Sequence, residues 1–465
     1  MLKVSRLDAQ YAAHQAEQWL AEIETRNKPV SLSSILEFIG SGHTPYKHDI
    51  TQGDVRFITV ECVSDLILDN DKLKRITSQQ FEEEFQTKRI TQNSIVCTIK
   101  RRICKAFPFL EPINEPLALN QDIALLKPIK DVSAAYLATY LCCKVGQTYA
   151  DKQKTEQMNP YISVANLATL PIIILSKPFQ TRIESLVKSA HAALEDSKRL
   201  YADAEALLLT ELGLPASFHD KEASTVAVKS FRESFGATGR LDAEYYQPKY
   251  DALYSQIKMG AAVKGWAIRR LGELSEPLKY GSSAQLEYIA EGVPFLRIAD
   301  LQQYRFDAES VKYISPQAAA EEQSATVQTG DVLISRSGTL GLSIDIPSDF
   351  SGAVFGSYFI RTRPKHQNLN PAYLALYLNS TIGQMQTEQS NTGGVQTNLT
   401  IPVIESLRIV CPPLEIQKML TEKVHQSYRN KDHSKHLLSL AKRAVETAIE
   451  SGEVAGVALL AAEGA

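Results

Sequence analysis

Apolar residues along this chain fall into three textures. Over residues 6–26, Leu7, Tyr11, Ala12, Trp19, Leu20 and Ile23 recur mostly at helical spacing, which predicts an amphipathic helix. From about 30 to 177 the apolar runs shorten and are broken by Gly, Pro, Asn and Asp. Residues 55–60 and 94–99 read as strands and residues 132–149 as a helix. Residues 170–175 read as a final strand, with Pro171 at its start or on an edge. Residues 179–212 then hold no Gly or Pro, and their apolar positions keep a 3.5-residue beat. Ile183, Val187, Ala190, Leu194, Ser197, Tyr201, Ala204 and Leu208 step alternately by four and three. Gly213 stops that helix, with Pro215 just beyond.

The order of textures then repeats. Arg6-Leu7-Asp8-Ala9-Gln10-Tyr11 returns 234 residues on as Arg240-Leu241-Asp242-Ala243-Glu244-Tyr245. Ala135-Tyr136-Leu137-Ala138 returns as Ala372-Tyr373-Leu374-Ala375, and Gly146-Gln147 as Gly383-Gln384, both displaced by 237. Each copy closes with a proline-marked start, Pro178-Phe179-Gln180 or Pro413-Leu414-Glu415, and a long helical pattern. In the second helix Leu420, Val424, Ser427, Lys431, Ser434, Leu438, Ala441, Val445 and Ala448 keep the same beat. A period this long marks a duplicated domain, not a solenoid. Two such stripes want partners, and each is the other's natural one, Lys431 fixing register or snorkelling to water.

The pattern therefore predicts an α+β chain of two similar domains in tandem. Residues 1–177 form a helix and first domain, 178–212 a first long helix and 213–239 a polar linker. Residues 240–412 form a helix and second domain, 413–452 a second long helix, and the small-residue stretch 453–465 a frayed tail.

Composition narrows the class. At 465 residues there is room for two or three domains, each with its own core. No apolar run is long enough to span a membrane, and no basic-then-apolar leader opens the chain. The six cysteines form no CxxC and have no histidine partners at zinc spacing, so they read as reduced core thiols of a cytoplasmic protein. A net charge of −3 counts against a dedicated nucleic-acid binder. Charge is local, however: Lys100-Arg101-Arg102 with Lys105 forms one basic cluster, and Arg361, Arg363, Lys365 and His366 another.

Catalytic signatures are missing. The chain has no GxxxxGK[ST] loop, no GxGxxG after a strand, no GxSxG and no HExxH, so no cofactor or metal is expected. Asn159-Pro160-Tyr161 resembles the catalytic motif of amino-methyltransferases but lacks its second proline and any upstream glycine-rich loop. It reads as a surface turn.

What the copies do carry is polar loops. Arg suits guanine O6/N7 and Asn or Gln suits adenine N6/N7, while Ser, Thr and backbone amides suit phosphates. The first copy offers Ser41, Thr44 and Tyr46 in Gly40-Ser41-Gly42-His43-Thr44-Pro45-Tyr46, together with Lys100, Arg101 and Arg102. The second offers Lys279 and Tyr280, then Ser335, Arg336, Ser337 and Thr339, then Gln396, Thr397 and Asn398. These are the candidate DNA-contacting residues.

Gly330-Asp331-Val332-Leu333-Ile334-Ser335-Arg336-Ser337-Gly338-Thr339-Leu340-Gly341 resembles the core motif of target-recognition domains in type I restriction-modification specificity subunits. Gly239-Arg240-Leu241-Asp242-Ala243-Glu244-Tyr245-Tyr246-Gln247-Pro248 and Pro412-Pro413-Leu414-Glu415-Ile416-Gln417 are also similar to sequences of that family. The resemblance implies two target-recognition domains, each reading half of a bipartite double-stranded DNA site. It implies an antiparallel two-helix coiled-coil spacer with pseudo-two-fold arrangement. It also implies two methyltransferase (modification) subunits that supply adenine methylation with S-adenosylmethionine, and restriction subunits that add ATP-driven translocation and cleavage. The chain itself would be non-catalytic. Its first copy has Thr98-Ile99-Lys100-Arg101-Arg102 where the second has Ser335-Arg336-Ser337-Gly338, so a differently shaped, more basic loop is expected there. The rival reading is a protein-interaction scaffold that never touches DNA.

Overall fold

The computed structural model describes residues 2–45, 53–85, 89–155, 158–214, 226–302, 304–365, 369–390 and 398–463. The chain divides into two compact units: Met1–Asp196 with Asn430–Ala465, and Ser197–Arg429. Each long helix therefore begins in one unit and ends in the other.

In unit 1 the helix Leu2–Arg26 precedes an antiparallel sheet ordered Leu36–Ser41, Ile123–Pro128, Ile95–Thr98, Ala106–Pro108. Its two central strands are apolar on both faces because both faces are covered. Ile95, Cys97, Ala124 and Leu126 face a core shared with the helices, while Val96, Ile123 and Leu125 face a second cluster containing Ile58, Leu117 and Leu119. A smaller sheet, Lys74–Ile76, Val55–Ile58, Leu117–Leu119, supplies that second cluster.

The helix expected over 132–149 is two helices, Ala134–Cys142 and Lys144–Gln153, with Cys143 extended between them. The cause is tertiary. Gly146 packs so tightly on the first helix that an added Cβ would lie 2.1 Å from the Tyr140 carbonyl oxygen. Gln147 Nε2 donates to the Leu141 and Cys104 carbonyls at 2.6 and 3.1 Å, the first of these satisfying the helix end. The final strand is only Pro171–Ile172, paired with Val30–Ser31.

Unit 2 repeats this plan. Its main sheet runs Lys279–Tyr280, Phe359–Thr362, Val332–Ser335, Ser343–Asp345, and its smaller sheet Lys312–Ile314, Val293–Leu296, Val354–Phe355. The split helix recurs as Pro371–Asn379 and Thr381–Ser390. Even interior hydrogen bonds recur. Tyr136 and Tyr140 donate to the carbonyls of Ile173 and Pro171 at 2.6 and 2.9 Å; Tyr373 and Tyr377 donate to Val410 and Arg408 at 2.9 and 3.0 Å. Burial pushes all four phenols up, which keeps them as donors. Buried Gln180 accepts from Ser133 N at 2.9 Å and donates to the Leu175 carbonyl at 2.8 Å. Gln417 does the same with Asn370 and Pro412, both at 2.8 Å.

The long helices are Lys177–Glu211 and Leu414–Ser451. In unit 1, Ile183, Val187 and Ala190 share a core with Leu437, Leu438, Ala441 and Val445. In unit 2, Ala204 and Leu208 share a core with Leu420 and Val424, and Ser197 Oγ meets Ser427 Oγ at 3.1 Å. Each unit thus has the helix pairing that the two stripes predicted, in the antiparallel sense that the resemblance implied. The helices also cap the split helices reciprocally. Glu446 accepts from Lys144 N at 2.6 Å in unit 1, and Glu205 accepts from Thr381 N at 3.0 Å in unit 2.

The frayed tail is a correction. Residues Glu453–Glu463 form a helix, with Val457, Leu459 and Leu460 packed on the unit 1 core. Gly456 is small for a reason: an added Cβ would lie 2.8 Å from Ala448 Cβ and 3.0 Å from the Phe179 ring. Ion pairing of Arg443 with Glu463 at 2.7 Å fastens its end.

All six cysteines are free thiols, and all but the half-buried Cys411 are buried. Burial pushes Cys142 and Cys143 up to about 12 and Cys411 up to about 11, so thiolate is scarce at neutral pH. A thiol reagent is expected to leave Cys142 and Cys143 unmodified until denaturant is added. Rapid labelling of both in native buffer would contradict their packing.

Candidate nucleic-acid interface

The candidate residues centre on the loop that leaves the central strand of each main sheet. In unit 2 that strand ends at fully buried Ser335. Ser335 N donates to the Leu342 carbonyl at 2.8 Å, and Gly341 N donates back to the Ser335 carbonyl at 2.9 Å. The Ser335 hydroxyl accepts from Leu342 N at 2.9 Å and donates to the Thr339 carbonyl. Gly338 and Gly341 both take left-handed backbone, at φ 80° and 74°.

Unit 1 builds the same frame. Thr98 N donates to the Lys105 carbonyl at 2.9 Å, and Cys104 N donates back to the Thr98 carbonyl at 2.8 Å. The Thr98 hydroxyl accepts from Lys105 N at 3.0 Å and donates to the Arg102 carbonyl. Arg101 and Cys104 occupy the positions of Gly338 and Gly341, at φ 64° and 54°. The expectation of a differently shaped loop is therefore corrected. A hydroxyl at the strand end organises the turn, and Thr98 supplies it as well as Ser335 does. Left-handed backbone at each non-glycine costs about 1 kcal/mol, which the frame absorbs.

Ser335 faces the interior and its hydroxyl is engaged, so it does not project toward a ligand. Arg336 works locally. Its guanidinium lies 5.0 Å over the Tyr280 ring and donates to the Leu399 and Ser357 carbonyls at 3.3 and 3.4 Å. Tyr280 in turn accepts from Ile401 N at 3.2 Å. Exposed Lys279 sits across the strand pair from Arg361. Ser337 and exposed Thr339 form the loop tip, and half-buried Asn398 adjoins it through Leu399, whose N donates to the Arg336 carbonyl at 2.9 Å. Lys279, Tyr280, Arg336, Ser337, Thr339 and Asn398 thus lie near one another in unit 2.

In unit 1, Lys100 pairs with Asp122 at 3.5 Å and Arg101 with Glu61 at 2.9 Å. Arg102 donates to the Val60 and Val63 carbonyls at 3.2 and 3.0 Å, a structural role. Ser41 lies on the neighbouring strand opposite Ala124, and Thr44 accepts from Asn120 Nδ2 at 3.5 Å. Tyr46, Gln396 and Thr397 lie outside the described residues.

Sequence reading passed over the turn that abuts each loop, residues 120–122 in unit 1 and 356–358 in unit 2. The residue identities differ at every position, so no sequence signal marked the two turns as counterparts. Beside Tyr358 a cavity of about 180 Å³ opens against Ser283, Tyr288 and Arg297. Among the described residues no group of three or more His, Cys, Asp or Glu could hold a metal ion, and no helix is long and apolar enough to cross a membrane.

A duplicated α+β unit with a polar loop platform is the class of structure defined so far. Residues 263–440 match the family model described as the type I restriction modification DNA specificity domain. Over those residues the chain is similar to the specificity subunits of type I restriction-modification systems. Over 211 residues it is 21% identical to the specificity subunit of the type I restriction enzyme EcoBI from Escherichia coli, a match covering 44% of each chain. The matched part is thus under half the length of that relative. Among solved structures, the type I S subunit from M. genitalium is 12% identical, with 91% of this chain and 95% of that one covered and a TM-score of 0.39. The HsdS subunit from Thermoanaerobacter tengcongensis is 14% identical, with 91% and 97% covered and a TM-score of 0.27.

Proposed function

We propose that this chain chooses the DNA site of a type I restriction-modification enzyme, each unit reading one half of a bipartite double-stranded sequence. The observation that carries this reading is the same loop frame, built twice with different side chains on it. Two like sites of unlike chemistry suit one ligand with two unlike halves. The paired long helices set the distance between halves and offer the surface on which two methyltransferase subunits dock. Those subunits bring S-adenosylmethionine and the adenine chemistry, restriction subunits bring translocation and cleavage, and the assembly works in the cytoplasm. The chain alone is expected to transfer no labelled methyl group to DNA.

Mapping methylated adenines in the host genome tests the assignment. With the gene present a single gapped motif should be modified; without it that motif should be bare. The net charge of −3 favours the scaffold alternative, in which the chain ignores DNA. Binding of the assembled complex to random duplex separates the two. A DNA reader loses affinity steeply between 50 and 200 mM salt, by about 10³-fold or more if it makes six or more phosphate contacts. A scaffold shows no such slope.

A further inference from the structure

We propose that each unit reads its bases from a crossing of three chain segments, a common hydrogen-bonded frame carrying unlike outward side chains; this rests on the DNA-specificity reading above. In unit 1 the crossing joins the Lys100 loop, the turn at 120–122 and the segment at 160–162. Ile99 N donates to the Asp122 carbonyl, and Ile162 N to the Ile99 carbonyl, both at 3.0 Å. Arg101 N donates to the Pro160 carbonyl at 2.8 Å, and Lys100 bridges Tyr161. In unit 2, Arg336 N donates to the Tyr358 carbonyl at 2.8 Å and Leu399 N to the Arg336 carbonyl at 2.9 Å. The turns are anchored alike from beneath: Asn120 N and Gly356 N donate to the carbonyls of Ile58 and Leu296, each at 3.0 Å.

Above this shared frame the chemistry diverges. Unit 1 presents Lys100, Asp122 and Tyr161, the last 38% exposed. Unit 2 presents Ser337, Asn398 and Tyr358, the last 54% exposed. The residues of the Asn159-Pro160-Tyr161 turn, idle in any methyltransferase sense, gain a place here. The backbone fixes position, and the side chains are left to choose.

The Lys100 ammonium and Asp122 carboxylate, 3.5 Å apart, set a donor beside an acceptor. In the major groove a G·C pair offers the reverse, guanine O6 and N7 as acceptors beside the cytosine N4 donor. Docking on such a pair trades one half-buried ion pair for two charge-assisted contacts. An A·T pair also sets a donor beside an acceptor, but lysine's usual partner is guanine O6/N7 and aspartate's is cytosine N4, so unit 1 takes a G·C pair at this point. Unit 2 carries no charge on its three readers. Asn398 matches the N6/N7 edge of adenine and the Tyr358 ring suits a thymine methyl, so unit 2 requires an A·T pair.

The test uses the complete enzyme assembled with its partner subunits. Its methylated motif is mapped for the native chain, for Lys100→Met with Asp122→Leu, and for Asn398→Ala. The double variant removes both partners of a pair and leaves neither stranded. It should drop a G·C requirement in one half of the motif and leave the other half unchanged. Asn398→Ala should relax an A·T position in the other half. Competition binding reads the same point without catalysis. Native complex should prefer its own site to one with that G·C changed to A·T by about 10- to 100-fold, and the double variant should bind both alike. An unchanged motif, or an unchanged binding ratio where methylation is lost, overturns the proposal. A native enzyme with no gapped motif at all would instead overturn the specificity reading beneath it.

Discussion

Adding one heptad to both long helices is expected to widen the gap in the recognised motif by about three base pairs, with the bases on either side unchanged. The insertions belong after Asp196 and after Arg429, where one compact unit gives way to the other, so that the packing inside each unit is kept. A copy of residues 190–196 in the first helix and of 430–436 in the last maintains the stripes. Seven residues lengthen a helix by about 10 Å, and about 3.4 Å of duplex holds one base pair. The same change turns one unit by about a third of a DNA turn, because half-sites one turn apart lie about 10 base pairs apart. Part of the activity should therefore be lost. The informative quantity is the motif of the methylation that survives. A gap of native length would mean that the helix pair does not set the spacing.

A large effect on stability is expected at the glycine that closes each split helix. In an open helix, replacing glycine by alanine gains about 1 kcal/mol. At Gly383 the added Cβ would lie 2.3 Å from the Leu378 carbonyl oxygen and 2.4 Å from Leu378 Cα, and at Gly146 it would lie 2.1 Å from the Tyr140 carbonyl oxygen. These neighbours are backbone and cannot step aside as a side chain can. Gly383→Ala and Gly146→Ala should each cost about 3 kcal/mol, at the upper end of overpacking penalties. Gly236, where the nearest atom would be 3.4 Å away, is the control, and its alanine variant should be neutral or slightly more stable. Urea midpoints of the three variants decide the matter, and a native midpoint for Gly383→Ala would mean that the helices are not locked together there.

Much of the architecture could be read in the sequence because it rests on periodicity. The 3.5-residue stripes became the paired helices, and the apolar run read as a strand over 94–99 became the central strand Ile95–Thr98, buried on both faces. What escaped is set by contacts between distant residues. The break at Cys143 is held by Gln147 reaching the Cys104 carbonyl and by Glu446 accepting from Lys144 N, partners far away in sequence, and no local signal marks it. The helix Glu453–Glu463 looked like low-complexity tail because its alanines and glycine are the small residues of a close contact. At the interface the loop motif was recognisable in unit 2 through its glycines. In unit 1, Arg101 and Cys104 adopt glycine-like backbone, and sequence alone does not reveal that. Ser335, chosen as a contact, turned out to organise the turn from inside.

One consequence concerns the order in which the chain is made. Unit 2 is a single stretch, Ser197–Arg429, so all of it is synthesised before residues 430–465 are added. Unit 1 starts ahead of unit 2 yet needs Leu437, Leu438, Ala441 and Val445 from beyond unit 2 to complete its core. Its nascent core must therefore wait partly uncovered until those residues are made, the condition under which chaperones engage a chain. A message cut short after Arg429 would release a protein whose later half is complete and whose earlier half is not. The portion synthesised first is the portion that matures last.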